Sequence, residues 1–232
     1  MGAVLLDLDG TLLDTIDDIA TALNQTLTEQ GIGSLPTSQV RDLVGRGVPI
    51  LIEQAVARLG VSAGSYDPTV LLDRLRFHYR RRLAGESTAR VYPGVVEGLG
   101  KLQALGLGLA VVTNKERQAA IDLLESAALG DWVQVVVGGD SCRHRKPDAQ
   151  PLLFACAALQ VEPARALMVG DSITDVLAAR AAGLPVVCVP YGYNEGNDPR
   201  DLPCDAIIET LADLPALLLG ASTRLEPRSG ND

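Results

Sequence analysis

The sequence predicts an α/β fold, in which a Rossmann-like core domain with a parallel sheet is interrupted by an all-helical insertion. From about residue 93 onwards, short apolar runs alternate with segments of helical periodicity, as in repeated strand–helix units. Between residues 14 and 88, apolar residues recur only at helical spacing, and no strand is indicated. Hydrophobic residues make up 47% of the chain but aromatic residues only 3%. Such an aliphatic composition is typical of parallel sheets covered by helices.

These patterns divide the chain into a core, residues 1–14 and 89–219, and a helical insertion, residues 15–88. Strands are predicted in the core at residues 3–6, 108–113, 133–137, 166–169 and 186–189. Because helices separate them, right-handed crossovers would place these strands in one parallel sheet. The segment 220–232 is rich in small and polar residues and is predicted to be a disordered tail.

The net charge, the cysteines and the lack of targeting signals indicate which partners and which compartment to expect. A formal net charge of −9 argues against a nucleic-acid partner. The first apolar run is cut short at Asp7, which argues against a signal peptide, and no apolar stretch has transmembrane length. Four dispersed cysteines, without a CxxC pair, indicate free thiols in a reducing compartment: Cys142, Cys156, Cys188 and Cys204. We therefore expect a cytoplasmic monomer or homodimer that acts on a small molecule and binds no membrane.

The first predicted strand ends in Asp7-Leu8-Asp9-Gly10-Thr11. Residues two apart on a strand project from the same face, and ligands of open α/β sheets bind at this end of the strands. Gly10 would let the backbone approach an anion closely. Because two neighbouring carboxylates repel each other, Asp7 and Asp9 imply a cation that neutralises them, and therefore a metal.

Polar residues also follow three later strands, where parallel topology would bring them to the same edge of the sheet. In chain order, they are Thr113-Asn114, Lys146-Pro147 and Gly170-Asp171-Ser172-x-x-Asp175. Together with Asp7-x-Asp9, this set resembles the haloacid dehalogenase-like superfamily of phosphohydrolases over nearly the whole chain. The second aspartate, Asp9, distinguishes the chain from the dehalogenases of that superfamily and favours phosphoryl transfer.

The resemblance assigns catalytic roles to individual side chains. Asp7 would attack phosphorus and form an aspartyl phosphate. Asp9 would act first as general acid and then as general base. Thr113 and Lys146, with Asn114 beside them, would bind the phosphoryl group and offset its charge.

The same resemblance implies a magnesium site. Asp7, the backbone carbonyl of Asp9 and Asp171 would coordinate Mg²⁺. Asp175, one helical turn beyond Asp171, could face the metal directly or through water, and could equally be a carboxylate of the first helical turn.

In this superfamily, a helical insertion after the first motif is a cap that selects the leaving group. Strings at 111–115, 138–140, 146–153 and 191–194 are similar to those of the branch that hydrolyses 2-phosphoglycolate. In Val44-Gly45-Arg46-Gly47, flanking glycines could bring Arg46 to a substrate carboxylate, although a solvated surface arginine is an equal alternative.

The same motifs are also compatible with other functions. A pyrophosphatase of the same fold, a sugar phosphomutase or a phosphatase for another small phosphoester would use similar motifs. A catalytically silent binding module is disfavoured because Asp7 and Asp9 are both present. Elsewhere, Asp18 is predicted as a charge in a first helical turn, and Arg80 to Arg82 as a solvated face.

Overall fold

A computed structural model of the chain describes residues 1–62 and 64–222. Its core is a six-stranded parallel sheet with the strand order β5-β4-β1-β6-β7-β8. The strands are β1 (Ala3–Leu6), β4 (Gly108–Val112), β5 (Val135–Val137), β6 (Ala166–Gly170), β7 (Val186–Cys188) and β8 (Ala206–Ile207). The predicted fold class is confirmed, and the carboxyl ends of the strands share one edge.

The central strand β1 is buried on both faces, which explains its uninterrupted apolar sequence. Val4 and Leu6 belong to one apolar cluster, whereas Ala3 and Leu5 belong to a second cluster on the opposite side of the sheet. This alternation follows from the two-residue repeat of a strand. On either side, β1 pairs with β4 and β6.

Helices cover the sheet and form the connections between its strands. They are α5 (Val95–Ala104), α6 (Arg117–Ser126), α7 (Gln150–Ala158), α8 (Ile173–Ala182) and α9 (Leu214–Ser222). The helix α9 continues through Gly220 to Ser222. The rest of the predicted tail, residues 223–232, lies outside the described residues, and its disorder stays a prediction. No helix in the described ranges is both long and apolar enough to cross a membrane.

Residues 15–88 contain four helices: α1 (Ile16–Glu29), α2 (Thr37–Arg41), α3 (Val48–Arg58) and α4 (Pro68–Leu83). They enclose a third apolar cluster, to which Ile19, Leu23, Leu51 and Leu75 contribute and which Tyr193 joins from outside this segment. We call this segment the helical cap. Its separation from the core as a distinct unit at residues 14/15 and 88/89 stays a prediction.

Three short strands were not expected from the sequence. The strands β2 (Leu13–Asp14) and β3 (Arg90–Val91) form a two-residue antiparallel ribbon where the chain enters and leaves the helical cap. At the edge of the sheet, β8 adds two half-buried residues. Runs this short carry no detectable periodicity, and their pairing depends on partners that are distant in the sequence.

Candidate active site

The end of β1 places Asp7 at the carboxyl edge of the sheet. The backbone N–H of Asp7 donates to the carbonyl of Val169 at 2.9 Å, which continues the pairing of β1 and β6 by one residue. The following Leu8 is fully buried and anchors the turn. Beyond it, Gly10 has a φ of +88°, and a methyl group at this position would also overlap the carboxylate of Asp171. The glycine therefore permits both the turn and the close approach.

Lys146 joins two carboxylates at the same edge. Its Nζ lies 2.9 Å from Asp7 Oδ1 and 2.6 Å from Asp175 Oδ1. The side chain of Lys146 is 1% exposed, so this cation is held in a water-poor environment where its charge is weakly screened. No donor in the described part of the chain makes a well-oriented hydrogen bond to Asp7 Oδ1, which is ion-paired only.

Asp171 and Asp175 lie where β6 turns into α8. Asp171 accepts hydrogen bonds from Thr11 Oγ1 at 2.8 Å and from the N–H of Tyr193 at 2.7 Å. Asp175 accepts from the N–H and the hydroxyl of Ser172, at 3.1 and 2.6 Å, and so caps the helix as well as holding Lys146. The sequence-based alternatives for Asp175, a helix-cap carboxylate and a metal-site neighbour, thus describe the same position.

Two further glycines leave room for these carboxylates. A methyl group at Gly192 would overlap the side chain of Asp171, and one at Gly170 would overlap that of Asp175. Neither site has a positive φ, so the requirement for glycine is one of space. The loop after β7 therefore approaches the end of β6 as closely as the backbone allows.

The carboxylates form a group suited to a cation. Asp7, Asp171 and Asp175 are buried and can each place one oxygen within 4.8 Å of the others. Burial, partly offset by Lys146, raises the pKa of Asp7 to about 7. Burial and the charge of Asp175 raise the pKa of Asp171 to about 8. Both shifts mean that the negative charge here is undercompensated.

Counting the charged groups shows how much negative charge lacks a positive partner. Two ammonium groups, Lys115 and Lys146, face four carboxylates: Asp7, Asp9, Asp171 and Asp175. Two negative charges are left over, and hard carboxylate oxygens without imidazole or thiolate suit a divalent alkaline-earth ion. The residues present fit a magnesium ion.

Asp9 points toward the helical cap side of the site. Its Oδ1 accepts from Thr15 Oγ1 at 2.6 Å, and Lys115 Nζ lies 2.9 Å from both of its oxygens. The side chain of Lys115 is 9% exposed, and its ammonium group also lies 4.6 Å from the ring centre of Tyr79, on α4. Lys115 therefore connects the candidate acid–base residue to the helical cap.

Thr113 and Asn114 follow β4 directly and are buried. The N–H of Thr113 donates to the carbonyl of Val137 at 2.9 Å, which fixes the strand end. Asn114 Nδ2 donates to the carbonyls of Gly45 and Lys146, at 2.9 and 3.0 Å. This amide thus links the glycine turn of the helical cap to the Lys146 loop, and its Oδ1 has no partner among the described residues.

A cavity lies between the helical cap and the edge of the sheet. Its polar floor includes Asp9, Thr113 and Lys115, and most of its remaining wall is apolar. From the helical cap, Leu51 and Tyr79 contribute to that wall. A small phosphoester could therefore be enclosed with one polar end toward the sheet.

Arg46 lies away from this group. It makes a two-pronged ion pair with Glu195, with Nε–Oε1 and NH2–Oε2 distances of 2.6 and 2.7 Å, and its side chain is 49% exposed. Gly45 and Gly47 line the cavity, and Arg46 is not among the described residues that do. The structure brings the other predicted site residues together, and a substrate contact by Arg46 stays a prediction.

Lys115 and Tyr193 were given no role from the sequence. Tyr193 donates its N–H to Asp171 and its hydroxyl to Asp14, and it accepts from the N–H of Thr15. Lys115 stands two residues after Thr113, and a lysine at a strand end was the available signal. Its partner Asp9 is 106 positions away, which no local pattern reveals.

The sheet topology, the residues at its edge and the helical insertion define a family. A family model for haloacid dehalogenase-like hydrolases matches residues 4–189, and the chain belongs to this family. The chain is also similar to the phosphoglycolate phosphatase of Nitrosospira multiformis, with 44% identity over 223 residues, 95% of this chain and 96% of that protein.

Two further relatives agree with this placement. The phosphoglycolate phosphatase of Rhodospirillum rubrum is 46% identical over 197 residues, 83% of this chain and 80% of that protein. Among solved structures, a predicted phosphoglycolate phosphatase from Haemophilus somnus has a TM-score of 0.86 at 28% identity, covering 94% of this chain and 98% of that one. The resemblance inferred from the sequence motifs is confirmed.

Proposed function

We propose that this protein is a Mg²⁺-dependent phosphomonoesterase that hydrolyses 2-phosphoglycolate to glycolate and phosphate. The observation that carries the proposal is the Asp7 carboxylate, which is buried at a strand end, lies with its Oδ1 2.9 Å from Lys146 Nζ, and is grouped with Asp171 and Asp175. A carboxylate beside a buried cation, at the edge of the sheet where ligands bind, can act as the nucleophile toward a phosphoryl group that the same cation attracts.

In the first step, an Asp7 oxygen attacks phosphorus while the bond between phosphorus and the ester oxygen breaks. The leaving alkoxide takes a proton from Asp9, whose carboxylate is oriented by Thr15. Lys146, held between Asp7 and Asp175, offsets the charge that develops on the phosphoryl oxygens. Thr113 at the end of β4 binds one of those oxygens.

In the second step, water attacks the aspartyl phosphate. Asp9 accepts the proton of that water, the bond between Asp7 and phosphorus breaks, and phosphate leaves. Asp9 thus returns to the protonation state from which the next cycle begins. Asp9 and Thr113 line the cavity, so the leaving group would lie in it during the first step.

Asp7 and Asp171, with the backbone carbonyl of Asp9, would hold the metal, and Asp175 lies within reach. Bound Mg²⁺ supplies Lewis-acid charge stabilisation to the phosphoryl group. Thr11 Oγ1 donates to one oxygen of Asp171 and the N–H of Tyr193 to the other, and these two hydrogen bonds orient the carboxylate.

The substrate assignment is supported by relatives that share 44% and 46% identity and are named phosphoglycolate phosphatases. A mainly apolar cavity with a few polar groups at one end also suits a small substrate. We further propose a cytoplasmic location, and a monomer or homodimer without a nucleic-acid or membrane partner.

The test is phosphate release by the purified full chain after chelator treatment, with and without added Mg²⁺. 2-Phosphoglycolate, p-nitrophenyl phosphate, pyrophosphate and glucose 1-phosphate would be compared by kcat/KM. We expect activity only with Mg²⁺, the highest kcat/KM for 2-phosphoglycolate, and a trapped acyl phosphate on Asp7 after rapid quenching.

Each competing function gives a different outcome. Preference for pyrophosphate would favour a pyrophosphatase, and conversion of the sugar phosphate without phosphate release would favour a mutase. Full activity after chelation would contradict the metal assignment, and an absence of turnover with every ester would favour a silent binding module.

A further inference from the structure

The proposed substrate carries two anionic groups, and the site described above accounts for only one. Lys146 is committed to Asp7 and Asp175 at the phosphoryl end. The carboxylate of 2-phosphoglycolate is two covalent bonds from the ester oxygen and must lie close by, inside the cavity. A buried carboxylate needs a cation or several donors, and the cations around this cavity are the candidates for that contact.

Lys115 meets the geometric requirements. It lines the cavity, is nearly buried, and lies next to Asp9, the proposed proton donor to the leaving group. An ammonium group has three N–H donors, and Asp9 accepts two of them at 2.9 Å. One donor is left for a ligand, and the ring of Tyr79 shields the ammonium group from water.

The arginines near the cavity are either ion-paired with carboxylates or exposed to solvent. Arg46 is bound by Glu195 on the outside. Arg76 lies on Glu116, with a second contact to Asp73 at 3.5 Å. Arg80 is exposed at the rim. Of these cations, Lys115 alone is buried against a residue of the reacting group.

Asp9 does not depend on Lys115 for its position. Thr15 Oγ1 donates to Asp9 Oδ1 at 2.6 Å, and Thr15 is itself buried and bonded through its N–H to Tyr193. If Lys115 turned toward a substrate, Asp9 would keep this hydrogen bond. The flexible four-carbon stem of a lysine allows such a shift.

We propose that Lys115 determines specificity by binding the carboxylate of the substrate, so that the enzyme selects phosphoesters with an anionic group next to the ester carbon. This inference rests on the proposed function. It places the carboxylate contact on the core, two residues after Thr113, and makes Tyr79 the contribution of the helical cap to the same contact.

The test compares two substrates that differ in one group. 2-Phosphoglycolate has a carboxylate where 2-hydroxyethyl phosphate has a neutral alcohol. In Lys115→Met, we expect kcat/KM for 2-phosphoglycolate to fall about 10- to 100-fold more than for the alcohol, the size of a lost charge-assisted hydrogen bond. Lys115→Arg, which keeps the charge, should retain most of the preference.

Lys101 provides the matched control among the three lysines of the sequence. It is also paired with a carboxylate, Glu97, but lies exposed on α5. Lys101→Met makes the same change in composition and charge and should leave both substrates unaffected. If Lys115→Met fails to fold, Lys115→Gln replaces it in the same comparison.

Binding is measured separately from turnover in an Asp7→Asn background. Adding Lys115→Met to that background should weaken binding of 2-phosphoglycolate about 10- to 100-fold and change binding of the alcohol much less. Equal losses for both substrates, or a selective loss in Arg46→Met instead, would overturn the role of Lys115. If the wild-type enzyme shows no preference for 2-phosphoglycolate over the alcohol, the proposed substrate is wrong. The proposed contact between Lys115 and its carboxylate then fails as well.

Discussion

Aspartates are buried in two regions of this molecule, and their pKa values are shifted in opposite directions. At the sheet edge, Asp171 receives two hydrogen bonds, and burial with the nearby charge of Asp175 raises its pKa. At the junction between α1 and the end of the helical cap, burial alone would raise the pKa of Asp18. Hydrogen bonds from Ser87, Thr88 and Arg82 outweigh it and hold the pKa below the ordinary 3.8.

The difference shows that burial does not decide the charge of a carboxylate; the neighbouring donors and charges do. Asp18 is neutralised within the chain, because Arg82, Ser87 and Thr88 surround it. The sheet edge keeps a deficit of two charges, which suits a site that must accept a cation. One region is arranged for stability and the other for binding.

The largest expected effect is that of Asp7→Asn. Without the nucleophile, kcat should fall by at least about 10³-fold, because removing a catalytic nucleophile costs this much or more. Since the amide also removes an undercompensated charge, the metal-free variant should unfold at the same temperature as wild type or higher. Steady-state kinetics and thermal unfolding in chelator check both points, and appreciable turnover in a clean preparation would contradict the nucleophile assignment.

Asp9→Asn comes next. Loss of general acid–base catalysis should lower kcat about 10²–10⁴-fold on 2-phosphoglycolate. The loss should be smaller on p-nitrophenyl phosphate, whose leaving group needs little protonation. Rates measured on both esters decide the matter, and losses of the same size would speak against the acid role.

Asp18→Asn should lower the stability of the folded protein and have little effect on the catalytic rate. We expect about 2–4 kcal/mol lower unfolding free energy at pH 7, since the change leaves Arg82 without its buried partner. Asp17→Asn, an exposed change in the same helical turn, is the control.

The pH dependence of this effect has a defined sign. Because folding lowers the pKa of Asp18, ionised Asp18 stabilises the folded state at pH values above the ordinary pKa of 3.8. This stabilisation is lost as the pH falls through the lower pKa of the folded state. Denaturant unfolding at pH 7 and at pH 3 should therefore show the difference from wild type shrinking with acid. A difference that is independent of pH would show that the charge of Asp18 is not what matters.

Gly192→Ala tests the space around Asp171. The added methyl group overlaps the Asp171 side chain, so either the carboxylate or the loop must move. We expect a loss of about 1–3 kcal/mol in stability and weaker activation by Mg²⁺. Gly85→Ala meets nothing within 4 Å and serves as the control. Identical Mg²⁺ titrations for both variants would show that the loop adjusts freely.

The smallest effect concerns pH and the metal-free protein. Because the pKa values of Asp7 and Asp171 rise to about 7 and about 8 on folding, the folded state takes up protons between pH 8 and 6 that the unfolded chain does not. Without metal, stability should therefore rise as pH falls across this interval. Thermal unfolding at both pH values, with chelator or Mg²⁺, checks this, and we expect Mg²⁺ to stabilise more at pH 8. The reverse order would contradict the charge deficit.

Asp7 and Asp9 could be identified from the sequence because two local rules suffice. An apolar run followed by carboxylates two residues apart marks a strand end, and parallel topology brings such ends to one edge. The same reasoning reached Thr113, Lys146 and Asp171. The helices of the helical cap could be recognised from their periodicity. The ribbon of β2 and β3 at its two ends could not.

The sequence by itself thus determined the fold class and the residues that the sheet edge brings together, because strand periodicity and crossover handedness are short-range constraints. Only the tertiary structure decided the partners of long flexible side chains. Arg46 forms an ion pair with Glu195, Arg82 with Asp18 and Lys115 with Asp9. A lysine or arginine can reach many positions from its backbone, and which carboxylate it meets depends on how distant segments pack. That packing arises from the whole apolar core, and no local pattern encodes it.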